Sequence, residues 1–257
     1  MTSWRGLGAS SAVAVLATIG LAGAALADGG PRRGKVAQAC CIDWGGLYFG
    51  IHAGYLRSDA DWTFTAAPGL IHSSSQDGAT AGIQVGLQHQ FGNAVIGIEA
   101  GLTSSLNPWN FNDVIAFNPA FIGEHRVDNI LTLGARLGFA FNRVMPYITG
   151  GYAGAAVSDR AVFSAGAAVG QTFWRSRDRH DGWYVGAGVD WAVHCCDSAW
   201  TIGLEYRHYE FDDTTRVPAG NAGVLVTGDR HILDLDRTDT LAVRLNYKIG
   251  RPPQPLK

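Results

Sequence analysis

From Trp200 to Phe211 the side chains alternate so regularly that only an extended strand fits. Trp200, Ile202, Leu204 and Tyr206 fall on one face, and Thr201, Gly203, Glu205, Arg207 and Tyr209 on the other. The same period of two recurs along the chain. Leu47, Phe49, Ile51, Ala53 and Tyr55 oppose Tyr48, Gly50, His52 and Gly54, and a second run from about Ala79 to Phe91 sets Ala81, Ile83, Val85 and Leu87 against Gly82, Gln84, Gly86 and Gln88. After a Gly92-Asn93 turn, Ile96, Ile98, Ala100 and Leu102 alternate with Gly97, Glu99, Gly101 and Thr103; Leu131 to Phe139 alternates with Thr132, Gly134, Arg136 and Gly138. Asn142-Arg143 turns the chain into a fifth strand, Met145 to Val157, in which Gly and Ala blur the two faces. Trp183 to Val193 opposes Tyr184, Gly186, Gly188 and Asp190, and after the Trp200 strand an eighth sets Leu241, Val243, Leu245, Tyr247 and Ile249 against Ala242, Arg244, Asn246 and Lys248. Each strand is about ten residues long, the length that crosses a bilayer when tilted.

Alternation does not say which face points inward. A soluble lipocalin-like barrel or sandwich would bury the Leu/Ile/Val/Trp face; an outer-membrane barrel would turn it to lipid. The other face carries Gly and Gln with Glu99, Arg136, Asp190, Glu205, Arg207, Arg244 and Lys248. Each Arg or Lys facing lipid at the bilayer midplane would cost about 2–4 kcal/mol, whereas inside a barrel these charges can neutralise one another. Eight strands also enclose too little volume for Trp183, Trp191, Trp200 and every aliphatic residue beside them. The connections agree: Gly92-Asn93, Asn142-Arg143 and His194 to Ala199 are short, while Ser58 to Gly78, Ser104 to Arg126, Ser158 to Gly182 and Asp212 to Thr238 are long. Short periplasmic turns and long external loops are the outer-membrane arrangement. The expected fold is all-β, an eight-stranded antiparallel transmembrane up-and-down barrel with both termini periplasmic.

Composition sharpens this. Charged residues are only 16% and Gly numbers 34, which suits strands crowded into a narrow barrel. A net charge of −2 gives no reason to expect nucleic acid as a partner. Arg5, the apolar run from Ser11 to Leu26 and the Ala25-Leu26-Ala27 site have the layout of a secretory signal peptide over residues 1–27. Residues 28–43 read as a flexible periplasmic leader, 44–249 as the barrel and 250–257 as a Pro-rich periplasmic tail.

The opening Trp44-Gly45-Gly46-Leu47-Tyr48-Phe49-Gly50-Ile51-His52-Ala53-Gly54-Tyr55 resembles the first strand of the RopB-like small outer-membrane proteins of Gram-negative bacteria. Arg136 to Phe141, Pro146 to Gly151, Gly182 to Gly188, Glu205-Tyr206-Arg207 and Arg244 to Lys248 are similar to its later strands. The resemblance implies a surface-exposed barrel with structural or host-interaction roles, inserted by the barrel-assembly machinery, with heme binding in some members. Family chains commonly end on an aromatic residue; here Ile249 is followed by Gly250 to Lys257, a departure that bears on assembly.

Candidate chemistry is sparse. The vicinal pairs Cys40-Cys41 and Cys195-Cys196 fall on the periplasmic side, an oxidising compartment, where at least one disulfide between the pairs is expected ahead of vicinal disulfides, free thiols or a metal site. His72, His125, His180 and His231 fall one per external loop; imidazole ligates heme iron, but a solvated loop histidine is the commoner case. His52 reads as a hydrogen-bonded lumen residue. Arg175, Arg177 and Arg179, beside Phe173 and Trp174, suit lipopolysaccharide phosphate, against the plainer reading of a solvated loop. Asp234, Asp236 and Asp239 read as a charged loop base before a divalent-ion site. No Ser-His-acid set is evident and Asp212-Asp213 diverge on a strand, so neither an enzyme nor a resident cofactor or metal is expected. The leading expectation is a structural and surface-interaction barrel with its lumen filled by side chains. Heme or other ligand capture by the loops and a narrow small-solute channel are the alternatives.

Overall fold

The computed structural model describes residues 42–64, 71–106, 121–163, 169, 171–193, 199–212, 214–216 and 231–249. Among the described residues nine strands follow in order: β1 (Gly46–Phe64), β2 (Ile71–Phe91), β3 (Ala94–Ser105), β4 (Phe121–Phe139), β5 (Val144–Phe163), β6 (Thr172–Ala192), β7 (Trp200–Phe211), β8 (Thr214–Arg216) and β9 (His231–Ile249). Each pairs antiparallel with its neighbour, and β1 pairs with both β2 and β9, which closes the sheet on itself. β7 and the three-residue β8 pair with β9 in series, so they share one strand position and the barrel has eight.

The alternation is converted directly into two environments. Trp183, Trp191, Trp200, Ile202, Leu204 and Leu133 lie on the outer wall, each about half exposed, while Arg136 and Glu205 on the opposite face are 3% and 5% exposed. Greasy side chains therefore face the bilayer and ionic ones the lumen. The two-residue hairpins fall at Gly92-Asn93 and Asn142-Arg143. Gly92 (φ 60°) and Asn142 (φ 52°) take the left-handed backbone conformation that such turns need. Crowding inside is relieved by glycine at close approaches: a Cβ on Gly86 would stand 2.3 Å from the Tyr48 ring, and one on Gly188 2.4 Å from the Tyr147 hydroxyl.

The expected strand length is corrected. The strands are not about ten residues long: β1, β2, β4, β5, β6 and β9 run 19–21 residues, extending into segments expected to be loops. The surplus of about ten residues, at ~3.3 Å each and tilted ~40°, carries the wall on the order of 25 Å past the hydrocarbon. There the outer face no longer meets lipid, so the period of two disappears from the sequence while the hydrogen-bond ladder continues. The fifth strand, unassignable by pattern, turns Met145, Tyr147, Thr149, Ala153, Ala155 and Val157 inward, and Ile148 and Tyr152 outward. Its inward face is itself largely apolar, which is why contrast between the faces is lost.

Candidate functional site

The lumen is layered. Nearest the periplasm, Trp44, Val95, Ala140, Met145, Tyr147 and Ala192 form one apolar cluster. Toward the outside, Leu56, Val127, Ile130, Ala153, Ala155, Val157, Tyr184, Tyr209 and Phe211 form a second. The Tyr209 and Phe211 rings stack with centroids 6.0 Å apart. Between the clusters lie the charges. Strand parity aims them there: Glu99 from β3, Arg136 from β4, Asp190 from β6, Glu205 and Arg207 from β7 and Arg244 from β9 are all buried.

Three carboxylates meet three guanidiniums. Glu99 accepts from Arg207 Nη2 at 2.7 Å, from Arg244 Nη2 and from the Tyr48 hydroxyl at 2.6 Å, with Arg136 Nη1 3.9 Å away. Glu205 accepts from Arg244 Nη1 and from the Tyr147 hydroxyl at 2.9 Å, and its Oε1 lies 2.7 Å from Arg207 Nε. Asp190 pairs with Arg136 Nη2. The Arg136 guanidinium sits 3.4 Å from the Tyr147 ring centroid and that of Arg207 5.0 Å from the Tyr184 ring, so cation–π contact adds to the ion pairs. Taking one partner out of such a set leaves an uncompensated buried charge, at a cost of about 3–5 kcal/mol. A second polar set adjoins this one: His52 bonds Gln84 at 2.6 Å and Thr103 at 2.9 Å, and Gln84 donates to Asn246 at 2.7 Å.

Lys248 does not join the ring of charges. Its Nζ donates to the Asp43 carbonyl at the periplasmic mouth, where Gln88 donates to the Trp44 carbonyl at 2.5 Å and the Trp44 amide donates to Gln90 at 2.7 Å. Residues 42–45 are thereby folded under the barrel, with the Trp44 ring drawn in. The cavity bordered by Trp44, Gln88, Arg136 and Asp190 measures about 20 Å³, the space of one water.

The histidines expected on loops are on strands. His180 lies on β6, 1% exposed, with Nδ1 3.4 Å from the Asp212 carbonyl. His72, His125 and His231, of which the backbone alone is described, lie on β2, β4 and β9. His72 pairs with Trp62 and His231 with Phe64, while His125 and His180 flank β5 opposite Asp159 and Ala155. Arg175, Arg177 and Arg179 also belong to β6 and not to a loop. Arg177 is exposed, with Nη2 3.6 Å from Asp128 Oδ2, and Arg179 is exposed on the same face. Cys40, Cys41, Cys195 and Cys196, together with residues 1–41 and 250–257, where a signal peptide, most of a leader and a tail were expected, lie outside the described residues. Among the described residues no group of three or more His, Cys, Asp and Glu is arranged to hold a metal ion.

Sequence reading missed the tyrosines as donors. Tyr48 and Tyr147 each complete a carboxylate's coordination from a different strand. The signal available was parity, since Tyr48 shares its face with Gly50 and His52.

Known proteins of similar fold share little sequence with this chain. Neisserial surface protein A is 12% identical over 77% of this chain and 97% of its own, with a TM-score of 0.38. The attachment invasion locus protein Ail of Yersinia pestis, solved with the heparin analogue sucrose octasulfate, is 13% identical over 79% and 99%, with a TM-score of 0.38. OprG of Pseudomonas aeruginosa is 11% identical over 80% and 97%, with a TM-score of 0.47. Among curated protein sequences none matches. The family model described as the outer membrane protein beta-barrel domain matches residues 12–248, nearly the whole chain. A closed barrel, apolar outside and ionic within, is the form such proteins take in the cell outer membrane. This chain resides there and belongs to the outer membrane protein beta-barrel domain family.

Proposed function

We propose that the protein is a structural and surface-interaction barrel whose lumen is closed to solutes, within the RopB-like branch that its strand motifs resemble. One observation carries this reading. The cross-section is filled by three acids and three arginines that pair with one another, between two apolar layers. Opening a path through it would separate buried ion pairs, each costly to leave half-made. Eight strands in any case enclose only enough room for their own side chains. The wall that rises past the bilayer then supplies the surface that meets the exterior. Neither catalysis nor a resident cofactor enters this reading.

Planar-bilayer recording of the full chain tests it. The expected trace has no unitary steps in molar potassium chloride. Reproducible steps of one amplitude, scaling with salt, would refute the closed lumen in favour of a small-solute channel.

A further inference from the structure

On the outer wall, just above the apolar band, the structure holds a polar cleft of about 340 Å³. A β-bulge creates it. The β4–β5 register slips between Val127 and Asn129, so Val127 turns into the lumen and Asp128 is the extra residue. The slip brings Arg126 opposite Ser158, which is in turn opposite Arg177 of β6, so the three form one row across three strands. Asp128 sits against that row, accepting from Ser158 Oγ at 2.5 Å, with Arg126 Nε 2.8 Å and Arg177 Nη2 3.6 Å from its carboxylate. Two guanidiniums share one carboxylate, an excess of one positive charge among the residues that line the cleft. The cleft is thus cationic. Ser104 and Asn129, joined at 2.7 Å, border it with further hydrogen-bonding groups.

Its height is informative. Leu131 and Trp183, half-exposed on the same wall, mark the top of the apolar band. Asn129 lies two residues above Leu131, about 5 Å along a tilted strand. The headgroup layer of a bilayer extends about 5–8 Å beyond the hydrocarbon on each side. The cleft therefore opens into the headgroups of the outer leaflet, where phosphate is the abundant anion and guanidinium its best-matched partner. The Tyr152 hydroxyl reaches up to Asp181 from below, so an aromatic side chain bridges the apolar band and the polar row.

We propose that this cleft binds the phosphorylated headgroup of an outer-leaflet glycolipid. Arg126 and Arg177 take the phosphate, and the acyl chains lie against Leu131, Tyr152 and Trp183. The inference needs only the barrel's orientation in the outer membrane and does not depend on whether the lumen is closed, so the conductance experiment cannot decide it.

Native mass spectrometry of the detergent-refolded full chain provides the test, with diphosphorylated lipid A as probe. The wild type is expected to retain one lipid at no less than tenfold the occupancy of the Arg126→Ala/Arg177→Ala double variant. The Arg57→Ala variant, which removes an equally exposed arginine elsewhere on the wall, is expected to retain it like the wild type. Lipid A stripped of both phosphates is expected to bind wild type and double variant alike. Equal retention of the phosphorylated lipid by wild type and double variant would overturn the proposal. Displacement by equimolar inorganic phosphate would overturn it as well, by making the cleft a site for free anions. Heat-modifiable gel mobility reports folding. If the double variant fails to fold, Arg177→Ala alone carries the test, with a loss of at least threefold expected and no loss refuting the site.

Discussion

Glu99 is the residue on which the centre of the lumen converges: Arg136, Arg207 and Arg244 all face it, and Tyr48 donates to it. Replacing it with Gln keeps the shape and removes the charge, leaving three buried guanidiniums to share two carboxylates. Glu99→Gln is expected to lower unfolding free energy in detergent by about 3–5 kcal/mol, read from urea titration of tryptophan fluorescence. Lys248→Ala, removed from that centre, is expected to change it by no more than about 1 kcal/mol. Equal effects from the two would mean that the buried ion pairs do not dominate. The lumen-facing parity of all seven charges is legible in the sequence, because each sits opposite a run of Leu, Ile, Val or Trp. Their pairing is not. Which rung of β3 faces which rung of β7 or β9 across the lumen depends on the stagger with which the sheet closes, and local patterning does not encode it.

At the scale of the strand, polarity contrast is legible and hydrogen bonding is not. Where one face meets lipid, Phe49, Ile51 and Tyr55 stand out against Gly50, His52 and Gly54. From Arg57 onward the outer face no longer meets lipid, the contrast ends, and yet β1 pairs with β2 as far as Thr63. Hydrogen exchange is expected to find the amides of 58–63 and 72–77 protected by at least a hundredfold over free chain. Exchange there at the free-chain rate would return these segments to loops. The bulge at Asp128 was hidden for a related reason, since it reverses strand parity in a stretch that no longer shows any. Gly86→Val puts branched bulk where even a Cβ stands 2.3 Å from the Tyr48 ring, which must then leave Glu99. The expected loss is about 1–3 kcal/mol in the same urea titration, and an unchanged midpoint would show that Tyr48 has room to move.

Taken whole, the molecule is a cylinder whose seam is the β1–β9 ladder, running from Leu47 opposite Ile249 to Phe64 opposite His231. Residues 42–45 are tied beneath that seam on both sides, by Gln88 and Gln90 of β2 and by Lys248 of β9. The number and antiparallel order of the barrel strands were readable from turns and alternation. The height of the wall and the cleft on its flank were not, because both arise from pairing between segments distant in sequence. The equal number of acids and arginines in the central set, three of each, has an electrical consequence. A displaced elementary charge gains about 2.3 kcal/mol per 100 mV, but a column whose six charges sum to zero gains nothing when it shifts as one body. Donnan potentials across the envelope, which rise and fall with external salt, therefore exert no net force on this set of six.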